Sequence, residues 1–196
     1  MKRHSNALVL AFVAALMLAG CGSDNGSGDS SSGGGENFND ADVTFAQSMI
    51  PHHQQAVEMA KMAKMRASSS DVKQFADKIE AAQGPQINTM TGWLEEWGED
   101  VEPESSNGMD HDMDSMGSDD MPSMMSEDDM KRLNGSSDAG FDKMFLTMMI
   151  EHHTGAIDMA KTELSEGENP DALALAEKIE AEQTAEIAHM KNLLKS

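Results

Sequence analysis

The chain has a single cysteine, Cys21, no tyrosine, and aromatic residues at only 4% of its 196 positions. One thiol can neither close an intramolecular disulfide nor build a thiolate cluster, so neither device holds this fold together. Basic residues are also scarce, 14 Lys and Arg against 35 Asp and Glu, and the formal net charge is −21. A surface of that sign repels nucleic acid and anionic lipid while concentrating cations around it. Nucleic-acid binding is excluded on this ground. The sequence contains no Ser/His/Asp set, no phosphate-cradling Gly loop and no zinc-type Cys cluster, and it reads as a binding protein rather than an enzyme.

Long apolar runs are equally sparse. The one that opens the chain, "ALVLAFVAALMLAG", follows the basic "MKRH" and stops at Cys21. It is too short to span a bilayer as a permanent helix and reads as an export signal. Its end, "LAGC", resembles the lipobox of bacterial lipoproteins, in which the cysteine is lipidated and becomes the first mature residue. Residues 1–20 are therefore expected to be a lipoprotein signal peptide and Cys21 the lipidation site. The Gly/Ser-rich 21–39 would be a flexible tether, since it has too little apolar surface to fold. The expected location is the bacterial cell envelope, outside the cytoplasm, with a lipid anchor as the only hold on the membrane.

What the chain has in abundance is methionine, 19 residues. With Cys21 lipidated, soft-metal chemistry has only thioethers to use.

Helical patterns cover about Asp40 to Ala67, with Asp40 as N-cap, then Asp71 to about Trp97, then about Asp142 to Leu164, and finally a helix opening at "NPDALAL", where Asn169 suits the cap and Pro170 the first turn. Pro51 and Pro85 should kink the first two. The segment at about 98–140 lacks a sustained apolar period and reads as a mobile loop rich in Asp, Ser, Gly and Met.

These helices form a repeat at a constant offset of 100. Phe45, Met49, Ile50, His52, His53, Ala56, Met59, Ala60 and Lys61 recur as Phe145, Met149, Ile150, His152, His153, Ala156, Met159, Ala160 and Lys161, and "KIEA" at 78–81 returns at 178–181. Two copies are too few for a solenoid. The expected fold is all-α, a four-helix bundle over 40–196 made of two repeated αα-hairpins joined by the Met/Asp-rich loop.

At about 100° per residue, Met49, His52, His53 and Met59 share one broad side of their helix, and Met149, His152, His153 and Met159 share the equivalent side. The four imidazoles and four thioethers should therefore converge near the pseudo-two-fold axis. Glu80 and Gln83, with their copies Glu180 and Gln183, lie on the apolar stripe of the second helices. There a ring nitrogen could donate to them while the other nitrogen faces a metal. In the loop, Met109, His111, Met113, Met116, Met121, Met124 and Met125 sit where no core is expected, and neutral sulfur suits Cu(I) or Ag(I).

The pattern "FxxxMIxHHxxAxxMAK" in both halves, each followed by "AxKIEAxQxxxIxxM", closely resembles the domain of unknown function 305 family of exported bacterial proteins. That resemblance implies a ferritin-like four-helix architecture and, for some members, copper binding linked to copper tolerance. The family core falls here on Met49, His52, His53, Met59, Met149, His152, His153 and Met159.

The function expected from residues and resemblance together is a membrane-tethered extracytoplasmic copper-binding protein. It would sequester Cu(I), or Ag(I) or Cu(II), or deliver it to or from a protein partner. Two alternatives compete. A ferritin-like di-iron redox protein would require a Glu-x-x-His motif in two helices; "EIAH" at 186–189 provides one, but "QINT" at 86–89 does not. An envelope interaction module would use the histidines structurally.

Overall fold

The structure, a computed structural model, describes residues 37–101 and 123–195, and the regular structure among them is entirely helical. The expected signal peptide, Cys21, most of the expected tether, and residues 102–122, which include Met109, His111, Met113, Met116 and Met121, lie outside the described residues. Five helices follow in order: α1 (Asp40–Arg66), α2 (Ser70–Trp97), α3 (Glu127–Gly135), α4 (Asp138–Glu166) and α5 (Pro170–Leu193). Among the described residues no helix is long and apolar enough to cross a membrane.

α1 pairs with α2, and α4 with α5, as two antiparallel hairpins; the hairpins meet chiefly through α1 and α4, while α2 and α5 barely touch. Small residues make that central contact close. Ala46, Ala56, Ala60, Ala156 and Ala160 are fully buried along α1 and α4. The apolar core divides in two. One cluster joins the C-terminal half of α1 (Met59, Ala60, Ala63) to the N-terminal half of α4 (Phe141, Phe145, Met149), and the other joins Phe45, Ala46 and Met49 to Ala156 and Ala160. α1 and α4 therefore run antiparallel, with the His pairs at mid-length.

The N-cap of α1 is Asn39 rather than Asp40. Its side chain accepts from the Ala41 and Asp42 N–H groups, and Asp42 returns a carboxylate to the Asn39 N–H at 2.7 Å, completing a capping box. Pro51 and Pro85 lie inside helices that continue through them.

Residues 123–140 are more ordered than their composition predicts, because α3 forms among them. Ser126 caps this helix, three acidic residues occupy its first turn, and Leu133 is fully buried against the bundle. Met125, just before it, packs into the core and exchanges backbone hydrogen bonds with the Gln55 amide at 2.8 and 2.9 Å. The expectation that no core exists near the loop methionines is thus wrong for Met125. Among the described residues of this interval, Met125, Met130 and Leu133 pack into the core, too few to show as a period. α4 likewise begins at Asp138, ahead of the expected Asp142, since Phe141 is completely buried.

A crosswise clasp ties the hairpins together. Asp42 of α1 accepts from the Glu168 and Asn169 N–H groups in the turn between α4 and α5, while Asp142 of α4 accepts from the Ser68 and Ser69 N–H groups and the Ser68 hydroxyl in the turn between α1 and α2. Charge-assisted bonds of this kind are the stronger sort. Asp142→Ala, which strands those donors, is expected to cost about 2 kcal/mol, read as a lower urea midpoint with an unchanged slope.

The Asp42 end carries an extra group, Glu163, where the first repeat has Ala63. Both carboxyls are almost fully buried. An added Cβ at Gly167 would collide with the Glu163 carboxyl, so glycine there makes room for it. Burial, then the proximity and charge of the Asp42 carboxylate, push Glu163 up to about 8. Burial also opposes charge on Asp42, but the neighbouring Glu163 carboxyl and the hydrogen bonds from the Asn39, Asn169 and Glu168 backbone outweigh this and hold it below the usual value. Asp42 is the anion of the pair and Glu163 the carrier of the proton.

Candidate metal centre

Adjacent histidines on a helix point about 100° apart, and here each pair divides its duties. His52 and His152 turn towards each other across the α1–α4 contact, their ring centroids 3.7 Å apart and the planes tilted by 34°. His53 and His153 turn towards the outer helices: His53 Nε2 meets Gln86 Oε1 of α2 at 2.8 Å, and His153 Nε2 meets Glu186 Oε2 of α5 at 2.7 Å. All four rings are essentially inaccessible.

The partners differ from those the sequence suggested. Glu80 bonds Lys64 at 2.8 Å and Glu180 approaches Lys161 at 4.0 Å, both on the outside of the bundle. Lysines on the neighbouring helix draw these carboxylates away from the core, and positions 86 and 186, one turn beyond Gln83 and Gln183, serve the imidazoles instead. Gln83 and Gln183 are buried as expected, but neither is hydrogen-bonded to a His; both amide atoms of Gln83 and the Oε1 of Gln183 lack a partner. The usable signal was the recurrence of a polar residue at 86 and 186 on the same stripe.

Burial is the largest influence holding His53 and His152 neutral. It lowers His53 to about 4, with Gln86 pulling the other way and His153 adding a repulsive charge. Burial also takes His152 well below the ordinary value, followed by repulsion from His52, His153 and His53. Only a backbone contact with His52 favours charge on His152, and neither of its ring nitrogens makes a hydrogen bond of ordinary geometry. The Nδ1 atoms of His53 and His153 are also without partners. Unpartnered buried nitrogens are costly, and here they gather in one layer of the bundle.

The thioethers flank this layer. Met49, Met59 and Met149 are fully buried and Met159 partly so. Met59 shares a cluster with Met149, and Met49 shares the other with Met159. Met59 lies seven residues from His52, about 10 Å along the axis. The eight core positions thus form a histidine layer with a methionine pair towards either end, rather than one convergent knot. Met124 is half-buried beside Met125, Met144 and Met148 in a cleft of about 560 Å³. Among the described residues no three His, Cys, Asp or Glu side chains are grouped to hold a metal ion. Glu186 of the "EIAH" motif is turned to His153, while His189 is exposed beside Phe75, ring centroids 5.3 Å apart.

Neutral imidazole nitrogen and thioether sulfur match soft monovalent cations better than Mg²⁺, Ca²⁺ or iron in a carboxylate site. On donor chemistry and unpartnered atoms, the residues present fit such an ion.

Comparison with known proteins gives a consistent picture. The family described as domain of unknown function (DUF305) matches residues 42–194. A DUF305 protein from Streptomyces coelicolor has 33% identity and a TM-score of 0.68, over 79% of this chain and 91% of that one. A DUF305 fragment from Deinococcus radiodurans has 28% identity and a TM-score of 0.67, over 80% and 97%. CopM in its Cu(I)-bound form has 30% identity and a TM-score of 0.62, over 79% and 95%; CopM is also solved with Cu(II) and with Ag bound. No curated protein matches the chain.

Proposed function

Because the chain belongs to the DUF305 family, we propose that it is an extracytoplasmic copper-binding protein, held to the membrane by a lipid on Cys21, that sequesters or hands on Cu(I), with Ag(I) or Cu(II) as related cargo. The observation that carries this is the facing His52–His152 pair, one imidazole from each hairpin with ring centroids 3.7 Å apart in the sealed centre of the bundle, with unpartnered nitrogens beside it and buried thioethers beyond it. CopM, a relative of similar fold, is solved with Cu(I), Cu(II) and Ag bound. The Streptomyces relative is described as secreted, in keeping with export.

In this mechanism the acidic surface raises the local cation concentration. Methionines of the 98–140 interval take up ions at many weak sites, and the ion then passes to the centre. His52, His152, and the free Nδ1 edges of His53 and His153 supply nitrogen; Met49 and Met149, one turn before the histidines, supply sulfur. Thioethers bind without releasing a proton, and the neutral imidazoles need release none. Protons compete at His53 only near its lowered value of about 4, well below the ordinary imidazole near 6.5. Cu(I) held through His53 and His152, both lowered by burial, is therefore expected to survive at pH 5.

Elemental analysis of protein purified from copper-grown cells tests this, with and without residues 102–122. Shortening the segment should lower the stoichiometry but leave the central ion in place. Background-level binding in a Cu(I) titration at neutral pH would rule the proposal out.

A further inference from the structure

Each outward-turned imidazole at the centre is served by one carboxylate, but by different routes. His153 reaches Glu186 directly. His53 reaches Gln86, whose Nε2 donates to Glu182 Oε2 of α5 at 3.3 Å. The repeat shows how the routes diverged: Gln86 occupies the position of Glu186, and Ala82 that of Glu182. The negative charge missing at 86 is supplied from the other hairpin, at a position whose own counterpart is alanine. Glu182 and Glu186 stand one turn apart, so α5 alone serves both rings.

We propose that Glu182, an exposed side chain, is a positioning residue that fixes the tautomer of His53 through Gln86 and so holds its Nδ1 lone pair ready for the ion. Each step follows from what the groups can donate. A carboxylate only accepts, so it selects the amide orientation with Nε2 towards itself. The amide oxygen then faces His53 and also only accepts, which requires the imidazole proton on Nε2. Nδ1, which has no partner, keeps its lone pair. With the amide reversed, Gln86 would present N–H to the ring, the proton would move to Nδ1, and that nitrogen would be closed to a metal. The partners of metal-bound histidines commonly act in this way.

The purpose of this device rests on the proposed function, but the device itself can be observed without metal. Long-range ¹H–¹⁵N correlation spectra of metal-free protein at neutral pH distinguish the two tautomers, with His53 assigned from a His53→Gln variant. Wild type and Glu182→Gln, whose amide oxygen still accepts from Gln86, should show the Nε2–H form. Glu182→Ala should show a several-fold rise in Nδ1–H at His53 with His153 unchanged, and Cu(I) affinity about 10-fold lower. An Nδ1–H tautomer in wild type, or an unchanged tautomer in Glu182→Ala, would overturn the proposal. If the tautomer shifts as expected but no variant and no wild-type sample takes up Cu(I), the positioning role stands and the copper function falls.

Discussion

Replacing His52 and His152 together by leucine is expected to abolish the most tightly held Cu(I) while making the metal-free protein more stable. The two effects have separate causes. The ion loses two of its four nitrogens, the pair that faces across the α1–α4 contact, and the Nδ1 edges of His53 and His153, turned towards the outer helices, cannot close around it with Met49 and Met149 alone. The metal-free protein, meanwhile, no longer has to bury His152 with neither ring nitrogen in a hydrogen bond of ordinary geometry. An unsatisfied buried polar group costs about 1–3 kcal/mol, and leucine is close enough in size to fill the space. Urea unfolding of metal-free protein should therefore show a higher midpoint, and competition with a chromophoric Cu(I) chelator should show one tight equivalent fewer. Opposite signs separate function from structure. A variant that retains all its copper and loses stability would mean that the facing rings serve helix pairing, as in the interaction-module alternative.

The second large effect concerns pH. Glu163 is raised from 4.5 to about 8 in the folded protein, so between those values the folded state holds a proton that the unfolded chain has released. Its contribution is fully present below about 4.5 and is lost as pH rises towards 8. His53, lowered from 6.5 to about 4, acts in the opposite sense: its contribution is present above 6.5 and is lost as pH falls towards 4. The two oppose each other between about 4.5 and 6.5. From 6.5 to 8 the Glu163 slope has no such counterweight from His53. Glu163→Gln keeps an N–H donor for Asp42 and removes the titration, so it should flatten that slope and stabilise the protein above pH 8 by a few kcal/mol. Thermal unfolding at pH 6 and pH 8.5 checks this; equal pH dependence in wild type and variant would refute it.

Much of this architecture could be read directly from residues. The offset of 100 identified two equivalent hairpins, and the helical phase of His52 and His152 placed them inside. Phase could not choose among neighbours on the same broad face. Glu80 and Gln86 both border the stripe, and what separates them is Lys64, which lies on another helix and pulls Glu80 outward. The same limit applies to Met59, which shares a face with His52 but sits two turns away, in a different cluster. α3 escaped notice because a helix of nine residues with one fully buried leucine gains its stability from the surface it lands on rather than from its own pattern. Glu163 was invisible for a related reason, since its partner Asp42 belongs to the opposite hairpin.

The crosswise clasp bears on how such a molecule arises. Each half carries both an arm that reaches across and a turn able to be reached, so two copies of a single ancestral half would have closed the same ring. Fusion into one polypeptide keeps the halves together at high effective concentration and releases them from having to be identical. The lopsided wiring of the centre, amide on one side and acid on the other, is a departure that fusion leaves the two halves free to accumulate.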